Sequence, residues 1–239
     1  MNYKKILLLL CLVLLESCAS YTTPGGAVSL SELADGDINE LMAKEPAAIF
    51  PVNLAIARVQ ASGYSAYGVD SYGSGRYSVV TARDVVSEDD FERIKKLPGI
   101  RGLAPLNRLI LSPNLDSIKA LRLASARLKS DILLIYTFDT TFHIGEQKLA
   151  PLNVVALGML KNKEVMVTTT ASAAFFDVRT EYLFGLAEAT ARERKKSSIW
   201  QERAAVDDLR VVTEKAAFAK LLSEVETTWK GVVAQFGTR

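Results

Sequence analysis

The chain has 239 residues, 49% of them hydrophobic and 23% charged, with a net charge of +2 at pH 7. That is enough apolar material for one sizeable core and too weak a field to gather nucleic acid, which excludes nucleic-acid binding as a main role. A single histidine and two cysteines supply neither a histidine-based metal cluster nor a Cys–His nucleophile pair, so the expectation is a non-enzymatic protein without metal or cofactor.

In chain order, Lys4 and Lys5 precede the apolar run Ile6 to Leu15, and Glu16, Ser17 and Cys18 follow it. A basic flank, an apolar stretch and a small residue before the cut read as a secretory signal over residues 1–17. The run is shorter than the roughly 20 apolar residues a spanning helix needs. Leu15, Ser17 and Cys18 resemble a bacterial lipobox, with Glu16 departing from the small or apolar residue usual at its place. The resemblance implies cleavage before Cys18 and acylation of its thiol and new amine. Ala19 stands where an aspartate would retain such a protein in the inner membrane, so it implies a domain in the periplasm, lipid-anchored to the outer membrane. Cys11 departs with the signal, and Cys18 is then the single cysteine of the mature chain, with no disulfide available.

Residues 18–48 read as a lipidated N-terminus and tether, since Pro24-Gly25-Gly26 and the Ser/Asp-rich stretch behind it are linker chemistry. A short helix over Ile38 to Ala43, capped by Asp37, interrupts it. A single domain, 49–239, follows. Ile49 to Gln60 predicts a strand buried on both faces, with Val52, Leu54, Ile56 and Arg58 on one and Ala55, Ala57 and Val59 on the other. The segment from Ala61 to Tyr77 is rich in Gly, Ser and Tyr, and has two readings. Tyr64, Tyr67, Tyr72 and Tyr77 form a partner-binding loop, where tyrosine gives contact area at low entropy cost, or a long hairpin loop whose tyrosines pack back on the domain.

Tyr77 to Ala82 predicts a strand. Ser87-Glu88-Asp89-Asp90 opens a helix with Ser87 as N-cap, Phe91, Ile94 and Leu97 as its apolar stripe, and Pro98-Gly99 as its stop. A connection from Ile100 ends in a short strand over Arg108 to Leu111. The next helix is expected over Leu115 to Lys129, burying Leu115, Ile118, Leu121, Leu123, Ala124 and Leu128. It feeds Ile132 to Phe138, an apolar run read as the central strand. Beyond Asp139 the pattern turns to an antiparallel meander: a turn at 143–148, a strand over Leu152 to Leu160, a turn at 161–164, a strand over Val165 to Phe176, a turn at 177–180 and a strand over Glu181 to Ala189. The charges at Glu193 to Lys196 read as a solvated loop or helix start. A long amphipathic helix over Ala204 to Phe236 carries Leu222, Val225, Trp229, Val232 and Phe236 on one face.

The fold expected is therefore α/β (α+β): a mixed sheet with its central strand near 131–138, an antiparallel meander over 149–190, flanking helices and a long C-terminal helix. Asp131 to Tyr136, and Ala173 to Thr180 with Glu181 where glycine is usual, resemble passages of TolB N-terminal-like periplasmic domains. Within that group, Leu134 to Thr140 and the alanine-rich meander resemble the rhombotail lipoproteins, and the chain more distantly resembles the curli-secretion and penicillin-binding-protein-activator lipoproteins. The function expected is attachment to a membrane through lipid and binding of another envelope protein. An oligomeric assembly or secretion subunit is the alternative, since some relatives of this fold form rings. A periplasmic hydrolase is a further one, with Asp139, Glu146 and Asp177 as the carboxylates, although no Gly-x-Ser-x-Gly elbow is present and His143 lacks an obvious serine partner.

Overall fold

The computed structural model describes residues 19–22, 38–66, 69–146, 163–197 and 202–237. Eleven strands and four helices are formed by these residues. The strands are β1 (Ala19–Thr22), β2 (Val52–Ala61), β3 (Ser65–Ala66), β4 (Val69–Tyr72), β5 (Ser74–Gly75), β6 (Tyr77–Val80), β7 (Ile100–Pro105), β8 (Asn114–Leu115), β9 (Ile132–Glu146), β10 (Lys163–Asp177) and β11 (Leu183–Ser197). The helices are α1 (Ile38–Ala43), α2 (Glu88–Lys95), α3 (Ile118–Arg127) and α4 (Glu202–Phe236). The expected class holds: a mixed, mostly antiparallel sheet with flanking helices and a long C-terminal helix.

The main sheet runs β11-β10-β9-β2-β6-β4-β3, with β1 added to β9 and β7 to β2. β2 lies parallel to β9 and β7 and antiparallel to β6. Its two apolar faces have separate destinations. Val52, Leu54 and Ile56 join α2 and α4 in one core, while Ala55, Ala57 and Val59 join α3 in the other. The same alternation divides β9, where Ile132 and Leu134 face α4 and Leu133 and Ile135 face α3. Trp229 of α4 is fully buried, and its indole N–H donates to the Pro98 carbonyl at 2.8 Å. Phe175 and Phe50 pack against its ring.

Local chemistry sets several ends as expected. Ser87 accepts from the Asp90 amide while the Asp90 carboxylate accepts from the Ser87 amide, a reciprocal cap on α2. Gly99 then turns the chain at φ +76°, a conformation that glycine enters without steric cost.

Five expectations are corrected. The strand placed at Arg108–Leu111 is instead Ile100–Pro105, because β2 offers a parallel partner there and Pro105 ends the run. α3 starts at Ile118, after Leu115 has been used in the small β5–β8 pairing, and Leu123 and Leu128 are exposed rather than buried. The central strand does not stop at Phe138. It continues to Glu146, because every residue from Ile132 to Glu146 has a register partner on β10. Residues 143–146 are therefore strand, not turn. β11 likewise runs on to Ser197, so the charges at 193–196 lie on the strand that is the sheet edge among the described residues, where charged side chains discourage further pairing. The described meander is thus 132–197 rather than 149–190. The strand expected over Leu152–Leu160, and Asp37 as a cap, lie outside the described residues.

Candidate functional site

The leading expected site, Leu15, Ser17 and Cys18, lies outside the described residues. The chain directly after it is described: Ala19–Thr22 pairs antiparallel with β9, Ala19 opposite Ile144 and Thr22 opposite Thr141. The stretch read as a tether thus begins as a strand of the sheet and later forms α1. Its end is held as well, because the Ala47 and Ala48 amides both donate to Asp177 Oδ2 at 2.7 Å.

The tyrosine segment forms short strands rather than an open loop. Tyr64 is buried with Val69 and Val80, and Tyr77 is fully buried against the α3 layer. The Tyr77 hydroxyl donates to the Ser117 carbonyl at 2.9 Å, and burial pushes its pKa well above the usual phenol value. Tyr72 is half-buried with Arg108 over its ring, and Tyr67 lies outside the described residues. Two of the four side chains therefore serve the core.

The carboxylates of the hydrolase reading do not meet. Asp177 is level with Ile132 at one end of β9, Asp139 lies seven residues along it, and Glu146 ends it a further seven away. At about 3.3 Å per residue each step is about 23 Å, whereas a cooperating carboxyl pair in glycoside hydrolysis sits within about 5–10 Å. Asp177 is also saturated. Oδ1 accepts from the Arg179 and Thr180 amides at 2.8 and 3.0 Å, and Oδ2 takes Ala47 and Ala48. Asp131 acts similarly, accepting from the Asn53 amide at 2.9 Å and tying β9 to β2.

The most concentrated polar constellation is one that sequence reasoning missed. Arg58 of β2 is 2% exposed. Its guanidinium donates to Asp84, Tyr64 and Glu214 at 3.0, 3.0 and 3.3 Å and lies 4.7 Å above the Phe138 ring. Arg210, also buried, donates to Glu214 at 2.9 Å and Asp207 at 3.1 Å, and approaches Asp84 at 3.5 Å. Thr140 donates to the other oxygen of Glu214. Burial raises the Glu214 pKa against the opposing pull of Arg58 and Arg210, and burial likewise raises that of Tyr64. Each cation meets a carboxylate of this same chain, which fastens α4 to the sheet. A cavity of about 30 Å³ adjoins it, lined by Arg58, Arg83, Phe91 and Tyr136 among others, room for a single water molecule. The available sequence signals were a charged residue in the mostly apolar β2 run and the i,i+4 spacing of Arg210 and Glu214. Neither names its partner across the fold.

A larger surface cleft of about 230 Å³ opens at the start of α3, between Asn114, Asp116, Lys119 and Arg127. Among the described residues no group of three His, Cys, Asp or Glu side chains is placed to hold a metal ion, and no helix is long and apolar enough to cross a membrane. No family model and no curated protein matches the chain. Among solved structures it is similar to the hypothetical protein CT253 from Chlamydia trachomatis, at 12% identity and a TM-score of 0.30, over 78% of this chain and 98% of that one.

Proposed function

We propose that this chain is a lipid-anchored protein of the bacterial cell envelope that works by holding a binding domain at the membrane rather than by catalysis. One observation carries the reading: Lys4-Lys5, the apolar run to Leu15, and then Ser17-Cys18, with Cys18 the single cysteine beyond the run. The identity of Ala19 favours the outer membrane as the destination, and an envelope protein is the partner class. The saturation of Asp177 and its distance from Asp139 and Glu146 support a non-catalytic role. The test is metabolic labelling with palmitate in cells making the wild type and Cys18→Ala. Label in the wild type alone, followed by crosslinking to envelope proteins in intact cells, is the expected result. A wild-type protein that takes up no label ends the proposal.

A further inference from the structure

The far end of the β9–β10–β11 ladder is unlike the rest of the surface. Sheet alternation puts Arg192, Arg194 and Lys196 of β11 on the face away from α4, since Ala187 and Ala191 of the same strand lie in the α4 core. All three are exposed, as are Thr141 and His143 of β9, on the same rows of that face as Arg192 and Arg194. Lys195, on the α4 side, pairs with Asp208 at 3.2 Å, and Glu164 faces Lys196 across the ladder. Half-buried Glu193 lies on the α4 side, and Glu146 stands opposite Lys163 at the last row of the ladder. Over these rows of the face away from α4, three cations, Arg192, Arg194 and Lys196, stand against one acid, Glu164, in a chain whose overall balance is only +2.

The register of β1 fixes where the N-terminus enters. Ala19 is opposite Ile144, Ile144 opposite Val165, and Val165 opposite Lys195. Ala19 and Lys195 therefore stand on one transverse row, three strand spacings or about 14 Å apart. Cys18 precedes Ala19 directly, so a lipid attached there emerges beside the basic end, about one and a half Debye lengths from it at about 0.1 M salt. The chain between Glu146 and Lys163 also leaves and returns at this end, and its sequence from Leu149 to Leu160 carries no charge.

We infer that this end of the ladder, through Arg192, Arg194 and Lys196, contacts the anionic phospholipid headgroups of the membrane in which the Cys18 lipid is anchored. The domain is then seated on the bilayer by its β9–β11 end instead of swinging on a linker. The inference rests on the lipid-anchor reading for its orientation and on the exposed cations for its chemistry. One basic residue at an anionic surface changes the bound population by about fivefold, and the attraction is screened by salt.

The test is lysine acetylation read by mass spectrometry on the full chain purified from its native membrane and reconstituted into two kinds of vesicle. One is phosphatidylcholine alone, the other phosphatidylcholine with phosphatidylglycerol. Lys196 is expected to be protected about fivefold in the phosphatidylglycerol vesicles at low salt and reactive in the neutral ones. Lys119, exposed on α3, stays equally reactive in both. The double substitution Arg192→Glu and Arg194→Glu abolishes the protection. Equal reactivity of Lys196 in both vesicles, or equal protection in both, overturns the inference. The mass of the N-terminal peptide from the same digest reports acylation of Cys18 separately. An unacylated peptide refutes the anchor, while the Lys196 comparison still decides the surface.

Discussion

Asp177→Asn isolates the contact that holds the chain before β2 to the rest of the domain. The substitution keeps the shape of a fully buried side chain. Its remaining oxygen still caps the turn by accepting from the Arg179 and Thr180 amides. Its new amide group faces the Ala47 and Ala48 amides, so two charge-assisted bonds of 2.7 Å become donor-to-donor contacts. Hydrogen bonds to a charged partner contribute about 1.5–3 kcal/mol each, which sets about 3–6 kcal/mol as the gross loss. Ala47 and Ala48 are half-buried and can turn to water, which reduces the expected net loss to about 2–4 kcal/mol. Urea unfolding followed by circular dichroism measures it as a lower midpoint with an unchanged slope. Hydrogen exchange at the two alanine amides must accelerate in the variant. An unfolding free energy within about 0.5 kcal/mol of wild type would show that these bonds contribute nothing net.

Glu214→Gln leaves Arg58 and Arg210 with one fewer compensating charge in a buried cluster, and is expected to cost about 3–5 kcal/mol in chemical denaturation. Adding Arg58→Met to it restores part of that loss, so a double variant that loses the full sum of the two singles argues against the coupling. Tyr136, 7% exposed, has its phenol pushed up to about 12 from 10.0 by burial. Between those values the folded state keeps a proton that the unfolded state has lost, so stability falls as pH rises, by about 1.4 kcal/mol per pH unit from this group. Tyr136→Phe removes that contribution, and unfolding midpoints measured from pH 9 to 11 decline less steeply in the variant; parallel declines contradict the assignment.

Much of the architecture was legible because it depends on short-range alternation. The β2 run announces its two buried faces residue by residue, and the structure sends them to two different cores. The reciprocal cap at Ser87 and the stop at Gly99 are equally local. Element lengths were not legible, because partners set them. From His143 to Glu146 the sequence reads as the start of a turn, yet a full ladder with β10 keeps it extended, and just before it Phe142 joins Val165 and Val167 under Leu209 of α4. The charges at 193–196 suggest a loop when taken alone, and they suit a strand once β11 is known to be the edge among the described residues.

The buried ion network shows the same limit in sharper form. Arg210 and Glu214 one turn apart are indistinguishable in sequence from a solvated helix pair, worth a few tenths of a kcal/mol. What changes their meaning is Arg58, 156 positions before Glu214 in the chain, which the β2 alternation brings to the α4 side of the sheet. Position 181 gives the converse case. Glu181 adopts φ +65°, a backbone conformation that costs a non-glycine residue about 1–2 kcal/mol. The carboxylate offsets that by pairing with Arg122 at 2.8 Å and Lys44 at 3.4 Å. Lys44 closely precedes Ala47 and Ala48, the alanines that Asp177 holds. Two acids of one turn thus secure the segment leading into β2, one through its amides and one through its lysine. That bracing makes the N-terminal side of the domain part of its framework, as the pairing of β1 with β9 does at the opposite end of β9.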